Sequence, residues 1–164
     1  LTLDAYRIDI EDRIVLSENL TQANVRAFLT TQGFIGSGGG RFFLNGVDTE
    51  TTGVELVASY RLPATAIGTF DATLGANYNE TDVTRVPAIP VLSALSPAPP
   101  LFDRLNVLTF EAGTPKDKYT LGLNWELGNA SATFRAIRYG EVFVAQTNPA
   151  LDTTLDPETV IDLE

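Results

Sequence analysis

Between Gly53 and Arg138 the chain repeats one pattern, segments of about ten residues in which apolar and polar residues alternate with a period of two, joined by connections that are short, then long, then short. That alternation confines the segments to β-sheet. In Phe70-Asp71-Ala72-Thr73-Leu74-Gly75-Ala76-Asn77-Tyr78 every even position is apolar and every odd one polar or Gly. Lys118 to Glu126 obeys the same rule, with Tyr119, Leu121, Leu123 and Trp125 set against Lys118, Thr120, Gly122, Asn124 and Glu126. Gly53 to Arg61 does so again through Val54, Leu56, Ala58 and Tyr60. Successive side chains of a strand point to opposite faces, so each segment presents one apolar face. A second sheet packed on that face would account for it in a soluble β-sandwich, and this is the competing reading.

The aromatic residues favour a bilayer instead. Tyr60, Phe70, Trp125 and Phe134 stand beside short turns, while Tyr78 and Tyr119 stand at the opposite strand ends. Transmembrane barrels carry aromatic girdles at both interfaces, because amphipathic rings settle at the headgroup level. An extended chain from Phe70 to Tyr78 covers roughly 27 Å, or roughly 19 Å of height at a tilt near 45°. That is slightly short of the apolar band but of its order. The connections alternate too: long and rich in Gly or Pro at about 17–40, 85–115 and 145–158, compact at about 62–68 and 127–130. Outer-membrane barrels have that asymmetry, with short periplasmic turns and longer extracellular loops. The expected fold class is all-β, an antiparallel up-and-down sheet of about five or six strands.

Composition narrows the function. The 164 residues carry a formal charge of −10, which argues against nucleic acid and anionic membrane surfaces as partners. With no His and no Cys, the commonest general base, thiolate chemistry, disulfides and zinc–thiolate sites are all excluded. No apolar run reaches the length of a transmembrane helix. Five or six strands fall short of the roughly eight that close a membrane barrel, so the chain reads as part of a larger one. The absence of Met makes Leu1 an improbable natural start, and Leu163-Glu164 is either native strand or a tag remnant.

Along the chain, Leu1 to Ser17 is a strand whose phase shifts between Leu1-x-Leu3-x-Ala5 and Tyr6-x-Ile8-x-Ile10; either a β-bulge near Ala5 reconciles them or both faces are covered there. Glu18 to Gln32 is polar with some helical character, and Phe34 to Gly40 is flexible, glycine-rich backbone. A long strand from Arg41 to Arg61 is expected to run through Asn45-Gly46 as a bulge, although that pair usually marks a hairpin. The prolines between Val86 and Pro115 bar a central strand there, leaving room for a short helix or strand at Leu101 to Phe110. Ser131 to Val144 is the fifth strand, Asn148 to Glu158 an acidic loop, and Thr159 to Glu164 the opening of a sixth strand.

Several of these segments resemble, in order, the barrel of TonB-dependent receptors. They are Asp12-Arg13-Ile14, Asn45 to Leu56 with its Thr-x-x-Gly-Val-Glu-Leu core, and Asn77-Tyr78-Asn79-Glu80-Thr81. Leu101-Phe102-Asp103-Arg104, Pro115-Lys116-Asp117-Lys118 and Arg138-Tyr139-Gly140-Glu141-Val142 continue the series. The resemblance implies a late segment of an outer-membrane barrel of about 22 strands with a plugged lumen. The plug, the box that engages TonB and a terminal aromatic strand are not found in this sequence. It further implies bacterial outer-membrane lipid, the receptor's own plug, TonB and a small nutrient ligand as partners.

On that reading Gly53, Glu55 and Arg61 face the lumen as structural polar residues, and the six aromatics form the lipid-facing girdle. Phe34, Phe102 and Arg104 are candidate ligand contacts, since exposed aromatics and Arg on loops are costly unless used. The competing role for each is packing against neighbouring loops. Gly36 to Gly40 lacks the helix and Lys-Ser/Thr of a phosphate loop. Asp9, Glu11 and Asp12, or Asp152, Asp156 and Glu158, lack the Gly-punctuated spacing of a Ca²⁺ loop. No catalytic residue, metal or cofactor is expected. The expected function is the wall and extracellular loops of an importer of siderophore-iron, cobalamin or oligosaccharide, the alternative being a soluble all-β ligand-binding or adhesion module. Removed from lipid, such a segment is expected to self-associate through its apolar face and strand edges.

Overall fold

The structure, a computed structural model, describes residues 1–164. In chain order the elements are β1 (Thr2–Leu16), α1 (Ala23–Thr31), β2 (Phe43–Arg61), β3 (Thr69–Arg85), α2 (Pro90–Ser93) and α3 (Arg104–Glu111). They continue with β4 (Asp117–Leu127), β5 (Ala130–Tyr139), β6 (Val142–Val144), a 3₁₀ turn at Pro149–Leu151, β7 (Thr153–Leu155) and β8 (Glu158–Leu163). Six strands form one sheet in the order β1-β2-β3-β4-β5-β8, and β6 pairs with β7 alone. The expected up-and-down all-β arrangement is present, with six strands in the main sheet.

The register turns the alternation into two faces. Phe70 pairs with Trp125 and Leu74 with Leu121 across β3/β4, Leu123 pairs with Phe134 across β4/β5, and Ala136 pairs with Ile161 across β5/β8. The opposite face carries Asp71 beside Asn124, Thr73 beside Gly122, Asn124 beside Thr133 and Arg135 beside Asp162. The apolar face is uncovered, with Leu74 45% and Leu123 42% exposed. A soluble sandwich would bury those residues against a second layer.

Two units divide the chain: Leu1–Ile8, Thr51–Thr81 and Ala112–Glu164 make one, and Asp9–Glu50 with Asp82–Glu111 the other. The first is sheet with the β6/β7 hairpin. The second holds the hydrophobic core: Val15, Leu20, Val25, Leu44, Val47, Leu92, Leu101 and Phe102 are all buried. Both long connections therefore fold, and they fold together. Glu18 donates its amide to the Leu101 carbonyl at 2.9 Å, and Asn24 Nδ2 donates to the Pro97 carbonyl at 2.7 Å. Pro90 opens α2, where its missing N–H costs nothing. Asp103 Oδ1 accepts the Asn106 amide at 3.0 Å and so caps the start of α3.

Four local expectations meet different outcomes. Asn45-Gly46 lies inside continuous β2, as expected, with Gly46 at φ +130°. In β1, where a bulge near Ala5 is expected, the one non-glycine residue with positive φ (52°) is Asp12. Its amide is held by Asp48 Oδ1 at 2.9 Å. The Gly140 amide still bonds the Asp117 carbonyl at 2.8 Å, but Val142–Val144 pairs with Thr153–Leu155, so the fifth strand stops at Tyr139 rather than running to Val144. A Cβ on Gly140 would meet the Asp117 carboxylate, which would have to move aside. The glycine-rich stretch is tied down as well: Leu20 and Gly40 exchange two backbone hydrogen bonds of 3.0 and 3.2 Å.

Candidate functional site

On the polar face Arg61 grips Asp71 with a fork, Nε to Oδ1 at 2.6 Å and Nη2 to Oδ2 at 2.9 Å. This bidentate geometry fixes both side chains across β2 and β3. Gly53 has no Cβ, and the Tyr6 ring occupies the space where one would stand. A glycine within a strand often marks such a close approach, and that signal was legible in the sequence. Glu55 lines a shallow depression of about 140 Å³ with Asn77, Lys118 and Thr120. Thr51 and Thr81 join their hydroxyls at 2.8 Å.

On the apolar face the rings stand at two levels. At the short-turn end Phe70 is opposite Trp125, whose Nε1 donates to the Ile67 carbonyl at 2.7 Å. Tyr60 beside the same turn is 65% exposed. Phe134 is paired with Leu123 one step further along β4. At the long-loop end stand Tyr78, paired with Asp117, and Tyr119, paired with Arg138. The Arg138 guanidinium lies 5.8 Å from the Tyr119 ring centre and hydrogen-bonds Asp117 at 3.0 Å. All six aromatics share one face of the sheet with the strand leucines.

Beyond Tyr78, at the far end of β3, Arg85 gathers two carboxylates. It donates to Asp48 at 2.5 and 2.9 Å and to Asp12 at 2.9 Å. The Arg85 hydrogen bonds, helped by the Asp12 amide, hold the Asp48 carboxyl below its usual range. Asp48 in turn, then Asp12, push the guanidinium above its own. Nothing in the sequence announced this clasp, because its members are far apart in the chain and no spacing or pattern pairs them. Asp12, one of the carboxylates considered for Ca²⁺, is committed to it, and Asp152 of the other group accepts the Gln146 amide at 2.8 Å.

The three candidate ligand contacts separate. Phe34, just past α1, is 62% exposed, and Arg104, first residue of α3, is also exposed. Phe102 is the exception to the exposure expected of it. It is 8% exposed in the core, with its ring centre 5.8 Å from that of Phe110, over which the Arg13 guanidinium lies at 5.1 Å. Apolar Leu101-Phe102 is drawn inward because both long connections supply a shared core to bury it. That unit also holds a cleft of about 270 Å³ lined entirely by apolar side chains and Gly40, which sequence reasoning did not foresee.

No curated protein and no solved structure matches the chain. The family model described as TonB dependent receptor-like, beta-barrel matches residues 1–164. With its whole length matched and its strands arranged as a barrel wall, the chain belongs to the TonB-dependent receptor-like β-barrel family.

Proposed function

We propose that this chain forms part of the wall and extracellular loops of a receptor that imports a scarce nutrient across the bacterial outer membrane. The family carries a receptor and transport role in that membrane; import of siderophore-iron, cobalamin or an oligosaccharide is our extension of it. The observation that carries the reading is the uncovered apolar face bounded by aromatic rings at two levels. Exposed leucines in such a row need lipid beside them, and the rings mark where lipid gives way to water. The face with Gly53, Glu55 and Arg61 then borders the lumen, where the receptor's plug packs against it. Phe34 and Arg104 on the long connections are the proposed ligand contacts, with Phe102 supporting them from the core beneath.

Cells displaying the full receptor, with and without TonB, are given labelled ferric siderophores, cobalamin and oligosaccharides. TonB-dependent accumulation of one class is expected. Equal accumulation with and without TonB, for every class, sinks the transport reading.

A further inference from the structure

The apolar cleft lies among the two long connections. Val25, Phe28 and Leu29 of α1 form one wall, Phe42 a second, and Ile89 and Leu92 at α2 a third. Val25 and Leu92 are buried, whereas Val91 at the rim is 50% exposed, so the cleft is floored by core and open to solvent. Water inside it would find too few polar partners, since a stably held water needs about two to four of them. An apolar cavity of about 150 Å³ takes up one benzene ring, so 270 Å³ suits roughly a fused pair of rings or an aliphatic chain of similar volume. A protein partner is a poor fit: a stable interface needs about 800 Å² from each side, far more than this cleft offers. The same shortfall argues against a second copy of the chain.

We propose that this cleft is a subsite for an uncharged hydrocarbon group, an aromatic pair of rings or a short aliphatic chain, carried by the ligand the receptor captures. The inference rests on the transport reading and narrows it, favouring a ligand with an apolar arm over an unmodified oligosaccharide. Because both long connections line the cleft, a bound hydrocarbon group touches both at once and holds them in one arrangement.

The test uses the full receptor in lipid nanodiscs, naphthalene as the probe and saturation-transfer NMR as the readout, with empty nanodiscs as background. Transfer above background is expected for the unaltered receptor. Val91→Trp, which fills the cleft from its rim, and Val91→Asp, which sets a carboxylate there, should each lower that excess at least fivefold. No excess over empty nanodiscs, or an excess that both variants leave unchanged, overturns the proposal. So does a receptor dimer in sedimentation that the Val91 variants dissociate, since it would assign the cleft to a second copy. Nutrient uptake is not read here, so failure of the transport reading and failure of this one are separable.

Discussion

Replacing Phe102 by Ala tests whether the two long connections share one core. The ring is 8% exposed and packed at 5.8 Å on Phe110, among Val15, Leu20, Leu44 and Val47. Truncating a buried Phe costs about 3–5 kcal/mol, including the residual cavity and the lost ring pair. The near-complete burial places this site within that range, and about 3 kcal/mol corresponds to roughly a hundredfold in an opening equilibrium. Hydrogen exchange of the full receptor in nanodiscs reads that equilibrium amide by amide. Amides of α1 (Ala23–Thr31) and α3 (Arg104–Glu111) should accelerate together by about that factor, although Phe102 adjoins only α3 in sequence. Phe34→Ala, at a site 62% exposed, should change exchange in neither helix by more than about twofold. Acceleration in α3 with α1 unmoved would show that the connections open independently and would refute the shared core.

Protonation should loosen the clasp at the far end of β3. The Asp48 pKa is depressed from its ordinary 3.8, so its stabilising contribution is complete above that value and disappears as pH falls through the lower folded value. Protease sensitivity of the adjoining loops should therefore stay flat from neutral pH to about 4 and rise below it, and Arg85→Gln should raise it at neutral pH too. Gly53→Val should drive its side chain into Tyr6 and destabilise the barrel by about 1–3 kcal/mol, read as a lower heat-modification midpoint, with Tyr6→Ala restoring it. In a receptor whose only tryptophan is Trp125, lipids brominated near the headgroups should quench its fluorescence more than lipids brominated at the chain ends. The reverse order would displace the girdle from the interface.

The local pattern made the sheet legible in advance. Alternation at Phe70–Tyr78 and Lys118–Glu126 specifies strand and face together, because a slip of one residue would exchange every apolar side chain for a polar one. The prolines between Val86 and Pro115 likewise determined that no central strand runs there. These signals depend only on neighbours two or fewer residues apart, as do the turns and the positions of the six aromatics. What tertiary structure decided is the fate of the long connections. Their apolar residues, Leu20, Val25, Leu92, Leu101 and Phe102, follow no sustained period, so nothing along the chain distinguished an exposed Phe34 from a buried Phe102. Only when the two segments meet does a core exist to bury one and leave the other outside. The Asp12–Asp48–Arg85 clasp arises the same way, from three strands that bring distant charges within 3 Å of each other. Local periodicity thus determined the wall, while burial and ion pairing between distant segments shaped the loops and their cleft, because those energies depend on partners that sequence order does not reveal.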